Sequence, residues 1–240
     1  MHKCQNTRPD PIIAFDVYGT LIDTTGMVEL LRKHAGNLAE PLSTLWRQKQ
    51  LEYSFRRGLM RAYRDFRVCT SSALDYACLT FSVSLSEDER NMLLEAYRKL
   101  PAFGDVSAGL KQAQEAGLRL FAFSNGTASD VGQLLDNAGI SGFFLDIISV
   151  DELHSFKPDP SVYHHFLSRA NAKGKDAWMV SANPFDVIGA AAAGMQSLWV
   201  QRSRELIMDP WESGPNLTIS SLAEVAHVIA GWRNNQQQNP

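Results

Sequence analysis

Four short polar segments, each following an apolar run, hold the groups of this chain best suited to chemistry: Asp16, Ser124-Asn125, Lys157, and the stretch Ser181 to Asp186. A carboxylate such as Asp16 can act as a nucleophile or as a base that activates water. The Lys157 ammonium can hold an anion, the Ser124 hydroxyl can donate a hydrogen bond, and Asp186 can pair with Lys157 or orient a water. Singly these signals are weak. Aspartate is common in turns for local hydrogen-bonding reasons, so Asp16 alone reads equally as a turn residue, and a lysine before a proline is ordinarily a solvated loop residue. Their meaning depends on whether the fold brings them together.

The elements that must do so can be read from hydrophobic patterning. Ile12-Ile13-Ala14-Phe15 reads as a strand buried on both faces, as in a parallel sheet covered by helices, and it delivers Asp16 at its carboxyl end. Gly19 permits a sharp turn there, and Thr20 adds a hydroxyl that can bond the carboxylate or a nearby amide. Thr24 or Thr25 is expected to cap a helix running to about Gly36. From Leu38 to about Leu100 the pattern is almost wholly helical, with a capping-box pair at Ser86 and Glu89. Helices and strands then alternate: helices at about 106–116, 127–138 and 161–170, the last behind an Asp159 cap and Pro160, with strands at about 118–123, 144–150 and 177–181. Asn183-Pro184 opens a small-residue helix, followed by strands at about 197–200 and 217–219 and a last helix at about 221–231. The polar tail from Asn234 to Pro240 is expected to fray. This order predicts an α/β fold, a doubly wound parallel sheet formed by about residues 1–23 and 105–240, with about 24–104 inserted as a helical subdomain. In such a sheet ligands bind beyond the carboxyl ends of the strands, so all four polar segments should share one crevice.

Composition narrows the partners. The 240 residues are 45% hydrophobic, enough for a sizeable core, and the net charge of -3 gives no general attraction to nucleic acid or an anionic membrane. A small ligand is the expected partner. No apolar run is long enough for a membrane span or a signal-peptide core, so a cytoplasmic protein is expected. Cys4, Cys69 and Cys78 form no C-x-x-C pair and have no histidine at metal-binding spacing, which reads as reduced thiols. Neither G-x-G-x-x-G nor G-x-x-x-x-G-K-[ST] occurs, so the usual dinucleotide and P-loop signatures are absent.

Phe15-Asp16-Val17-Tyr18-Gly19-Thr20-Leu21, Ser124-Asn125-Gly126, Lys157-Pro158-Asp159 with Tyr163, and Ser181-Ala182-Asn183-Pro184-Phe185-Asp186 resemble, in order, the four motifs of the haloacid dehalogenase superfamily. The block Leu45-Trp46-Arg47-Gln48-Lys49-Gln50-Leu51-Glu52-Tyr53 is similar to the cap segment of the (S)-2-haloacid dehalogenases. The resemblance spans Ile12 to Gly231. It implies a Rossmann-like core with a helical cap, and hydrolysis of (S)-2-haloalkanoic acids to (R)-2-hydroxyalkanoic acids through an ester on Asp16. It further implies a catalytic set of Asp16, Thr20, Arg47, Ser124, Lys157, Tyr163, Ser181, Asn183 and Asp186, no metal or cofactor, water and halide as co-reactant and product, and a homodimer. By the same resemblance, Ser124 and the amides of Val17 and Tyr18 would hold the substrate carboxylate. Arg47, Asn125 and Phe185 would hold the halide, and Asn183 and Asp186 the attacking water. Tyr18, Gln48, Leu51 and Phe66 would wall the 2-substituent, although Leu51 and Phe66 read equally as core.

Most of that superfamily are phosphatases, which resemble D-x-D at the first motif and hold Mg²⁺ with further carboxylates from the fourth. Here Tyr18 replaces the second aspartate, and Ser181-Ala182 stand where an acid is usual. A hard divalent cation would find few oxygen ligands and a repelling Lys157. A halide leaves without a proton donor, so a dehalogenase does not need that second acid. A Mg²⁺-dependent phosphatase, and a catalytically idle relative that binds a small carboxylate or a partner, are the alternatives. Phe185 stands where a tryptophan is expected in the dehalogenases, keeping an apolar wall but lacking an indole N–H.

Overall fold

The computed structural model describes residues 10–212 and 214–238. Cys4 lies outside them. Six strands, β1 (Ile12–Phe15), β2 (Arg119–Ser124), β3 (Asp146–Ser149), β4 (Ala177–Ser181), β5 (Gln196–Val200) and β6 (Leu217–Ile219), form one sheet in the order β3-β2-β1-β4-β5-β6. All neighbouring pairs are parallel. Every residue of β1 and β4 is buried, which is why both run apolar without alternation.

From β1 the chain moves outward to β2 and β3, then returns to β4 on the other side of β1. That reversal opens a crevice beyond the carboxyl end of β1, the switch point at which doubly wound sheets bind ligands. Strand register levels the site segments. Phe15 pairs with both Ala122 and Val180, so Asp16 lies beside Phe123 and Ser181. Ser124 pairs in turn with Ser149.

Between β1 and β2 come α1 (Met27–Ala35), α2 (Ala39–Leu59), α3 (Phe66–Thr80) and α4 (Glu87–Tyr97); the remaining helices are α5 (Val106–Glu115), α6 (Ala128–Asn137), α7 (Pro160–Arg169), α8 (Pro184–Ala192) and α9 (Val225–Gln238). An antiparallel bridge between Ile22 and Ala102 joins the start and end of the four-helix block. Leu42, Trp46, Gln50 and Ser54 of α2 turn inward, as do Phe66, Thr70, Ala73 and Ala77 of α3, at the three- and four-residue spacing of a buried helix face. The capping box of Ser86 with Glu89 and the Asp159 cap before Pro160 both form.

Three local expectations differ from what forms. The cap after β1 is Asp23 rather than Thr24 or Thr25: its carboxylate accepts from the Thr25 amide at 2.9 Å and the Thr25 hydroxyl at 2.6 Å, over a 3₁₀ turn that precedes α1. An ionised carboxylate is the stronger acceptor for such an end. The third strand is shorter than patterning suggests, because Ser141–Phe143 wind into a 3₁₀ turn before it. Finally α9 continues through residues 234–238, where fraying was expected. Trp232 stacks edge-on against Trp178 at 5.6 Å and anchors that helix to the sheet. Residues 239 and 240 lie outside the described part.

Candidate active site

The loop after β1 is wound around Asp16. Three successive amides, those of Thr20, Leu21 and Ile22, converge on the Val17 carbonyl, a curl that requires the left-handed backbone of Gly19 (φ 83°). The curl returns Thr20 over the carboxylate, where its hydroxyl donates to Asp16 Oδ2 at 2.7 Å while accepting from the Ala182 amide at 2.9 Å. Oδ2 also accepts from Asn183 Nδ2 at 2.7 Å and from the Ser181 hydroxyl at 3.3 Å. Oδ1, by contrast, meets only Lys157 Nζ among the described residues, at 3.3 Å. The two oxygens of one carboxylate are therefore chemically unequal. The amides of Val17 and Tyr18 take no part in the backbone bonds that close the loop.

Lys157 is 1% exposed, and a buried ammonium is tolerated only where its protons are all accepted. Its three go to Asp16 Oδ1, to Asp186 Oδ2 at 2.9 Å and to the Phe123 carbonyl at 2.8 Å, with the Phe123 ring 4.1 Å below. Asn125 Oδ1 accepts from the Lys157 amide at 2.9 Å and ties the loop after β2 to the lysine. Asp186 is wholly buried, its second oxygen accepting from the Tyr163 hydroxyl at 2.8 Å. That approach needs Gly189, since a Cβ there would lie 2.6 Å from the Tyr163 oxygen. Burial, to which the Asp16 charge adds, raises the Asp186 carboxyl to about 6 against the opposing pull of Lys157. Burial, with the Asp186 charge, raises the Tyr163 hydroxyl well above its ordinary range and keeps it a donor.

Asp16, Thr20, Lys157, Tyr163, Ser181, Asn183 and Asp186 thus form one hydrogen-bonded cluster. Arg47 reaches it from α2, donating to the Tyr18 carbonyl at 3.2 Å and Asn183 Oδ1 at 3.5 Å. Ser124 is buried nearby, its oxygen accepting from the Gly126 amide at 3.1 Å. The Tyr18 ring lies between Phe66 and Tyr97, with centroids 5.7 Å away on each side. Phe185 meets Phe55 of α2 edge-to-face at 5.1 Å. Leu51 is half-buried one turn beyond Arg47. Gln48 is not part of the hydrogen-bonded cluster: it is exposed, about 100° around α2 from Arg47, and lines a cavity with Thr24, Trp46, Arg47 and Tyr97. Both oxygens of Asp186, expected to orient water, are engaged by Lys157 and Tyr163. No group of three or more His, Cys, Asp or Glu side chains among the described residues is arranged to hold a metal ion. Instead, the ammonium of Lys157 bridges the two site carboxylates.

Arg202, Gln50 and Phe55 also belong to the surroundings of the site, with no role assigned to them by the sequence. Arg202, two positions beyond β5, donates to the Thr20 carbonyl and to both oxygens of Asp105 at 2.8 Å, clamping the Asp16 loop. The same strand-end rule that singles out Asp16 would have found it. Gln50 is fully buried on the inward stripe of α2 and accepts from Arg47 at 2.6 Å. A long amide side chain one turn after Trp46 on the inward stripe is the available signal. Phe55 carried none.

The comparisons with known proteins agree with this geometry. A family model of haloacid dehalogenase-like hydrolases matches residues 11–194. The chain is 38% identical over 225 residues to an (S)-2-haloacid dehalogenase of Pseudomonas sp. (strain CBS-3), covering 92% of this chain and 97% of that one. It is 35% identical over 218 residues to the haloacetate dehalogenase H-2 of Moraxella sp. (strain B), covering 91% and 97% respectively. Among solved structures, the L-2-haloacid dehalogenase of Xanthobacter autotrophicus with chloropropionic acid covalently bound aligns with a TM-score of 0.87 at 27% identity, over 92% of this chain and 99% of that one. With the motifs in order, the strands in a doubly wound sheet and a family model covering most of its length, this chain belongs to the haloacid dehalogenase-like hydrolases.

Proposed function

We propose that the protein is an (S)-2-haloacid dehalogenase that converts (S)-2-haloalkanoic acids to (R)-2-hydroxyalkanoic acids through an ester on Asp16. The observation that carries this reading is the inequality of the Asp16 oxygens. Oδ1, touched only by Lys157 at 3.3 Å, keeps lone pairs for attack on the substrate Cα opposite the halogen. Holding those atoms at attack distance contributes roughly 7 to 11 kcal/mol. Once the bond forms, Oδ2 becomes the ester carbonyl oxygen, already held by Thr20, Asn183 and Ser181. When water adds to that carbonyl, the same three donors stabilise the oxyanion. Each Asp186 oxygen accepts one bond and keeps a second lone pair, so its raised basicity suits it to take the proton the water loses.

In this reading Ser124 and the Val17 and Tyr18 amides hold the substrate carboxylate, and Arg47, Asn125 Nδ2 and Phe185 receive the halide. Tyr18, Leu51 and Phe66 wall the 2-substituent, and residues 24–104 act as the cap. The relatives' names support the substrate class, and the covalent adduct of the Xanthobacter enzyme supports the ester. The test is chloride release from (S)-2-chloropropionate, expected to be undiminished by EDTA and absent with the (R) isomer. Turnover of p-nitrophenyl phosphate only with Mg²⁺, and no chloride release, would establish the phosphatase instead. Against that outcome stands Lys157, whose cation already bridges the carboxylates a magnesium ion would share.

A cytoplasmic homodimer completes the proposal. Cys69 and Cys78 are free and buried, as suits a reducing compartment. Leu59 and Leu79 are exposed on α2 and α3 and could be covered by a second copy. Sedimentation of only monomer at micromolar concentration would refute the dimer.

A further inference from the structure

Gln50 is a polar side chain at zero exposure, on the inward stripe of α2 between Trp46 and Ser54. A buried amide is costly unless each group is bonded, and here each is. Its Oε1 accepts from Arg47 at 2.6 Å and from the Tyr97 hydroxyl at 3.0 Å, while its Nε2 donates to the Thr70 hydroxyl at 2.6 Å. The direction of this amide is imposed from outside. Thr70 gives its single proton to the Phe66 carbonyl at 2.8 Å, so toward Gln50 it can only accept. The amide nitrogen must therefore face Thr70, and the oxygen must face Arg47. The frame is itself fixed: Trp46 donates to the Thr70 carbonyl at 2.8 Å and packs its ring on Tyr97 at 5.4 Å, and Tyr97 stacks on Tyr18.

Arg47 is held at both edges by this arrangement. One terminal nitrogen is taken by Gln50 and the other by the Tyr18 carbonyl and Asn183, beside the nucleophile. All three acceptors are neutral. The guanidinium is oriented while its charge stays unpaired by any carboxylate in these contacts, and it retains N–H groups for an anion. A glutamate at position 50 would hold Arg47 more tightly but would cancel that charge.

We propose that Gln50 is the positioning residue for Arg47, a neutral anchor that aims the guanidinium at the departing halide without neutralising it. This rests on the dehalogenase reading, in which Arg47 receives the halide. Gln50→Glu, nearly unchanged in size, is expected to lower kcat/KM for (S)-2-chloropropionate and to weaken inhibition by sodium bromide, each roughly 10- to 100-fold, the scale of one hydrogen bond to a charged group. Gln50→Met, which removes the acceptor, should do the same. In the Arg47→Ala background, Gln50→Glu should change the residual rate less than about twofold, because residues acting as a unit are not additive. Parent-like kinetics and bromide inhibition in Gln50→Glu overturn the proposal, as does an equal effect in both backgrounds or failure of the Gln50→Glu chain to fold, each of which makes Gln50 a structural residue only. Full activity of Arg47→Ala removes Arg47, and Gln50 with it, while leaving the dehalogenase reading in place. No chloride release from the unsubstituted enzyme sinks both.

Discussion

Replacing Lys157 with methionine tests the electrostatic logic of the site. The methionine fills nearly the same volume, so the change removes a charge from between Asp16 and Asp186 and leaves little cavity. All three partners, at 3.3, 2.9 and 2.8 Å, lose their donor in a place closed to water. Removing one member of such a buried ion set costs about 3 to 5 kcal/mol. For a chain of this size, that corresponds to a melting temperature lower by roughly 6 to 20 °C. The loss must depend on pH. Asp186 sits above its unfolded value of 3.8 even with Lys157 present, and without the lysine it rises further. A carboxyl with a raised folded value holds a proton that the unfolded chain has already released. Stability therefore falls as pH increases through the window between the two values. The deficit should be small near pH 5 and largest near pH 8, measured as melting temperature by circular dichroism. Lys157→Met combined with Asp186→Asn removes one of the stranded charges, keeps the Tyr163 bond and should recover much of the loss. A melting temperature within about 2 °C of the parent at pH 8 would refute the reasoning, given the size scaling above. So would a deficit that is greater at pH 5.

Isotope transfer tests the identity of the attacking group. In a single turnover with excess enzyme in ¹⁸O-water, the hydroxy acid should emerge largely unlabelled and the label should enter the peptide containing Asp16; label appearing directly in the product makes Asp16 a base. Asp16→Asn should be nearly inactive, since an amide is a poor nucleophile. Tyr163→Phe removes the hydrogen bond that favours ionised Asp186, so the acidic limb of the kcat profile should move to higher pH. An unmoved limb would show that Asp186 ionisation does not control the rate.

Much of the fold is legible in local patterning. The apolar runs at 12–15 and 177–181 mark central strands because burial on both faces leaves no polar position to alternate with. Asp159 before Pro160 and Ser86 before Glu89 mark helix starts because their bonds close within one turn. The rule that ligands bind beyond strand ends then groups Asp16, Ser124, Lys157 and Asp186 without knowledge of any distance. The family resemblance adds Arg47, which patterning alone passes over, and gives Asn183 a role within the Ser181 to Asp186 stretch.

What only the tertiary structure decided is which groups share a hydrogen bond. That Asp16 Oδ2 is saturated while Oδ1 is left to Lys157 depends on Asn183 and Ser181 arriving from a strand more than half the chain away. The Arg202 clamp on Thr20 and the Gln50 anchor for Arg47 are of the same kind, as is the position of Gln48 outside the cluster. Propensity and periodicity act over a few residues, so they place a side chain on a face of its own element. The partner of a buried polar group is set instead by the requirement that every desolvated donor and acceptor be met, and that requirement is settled only when distant elements have come into contact.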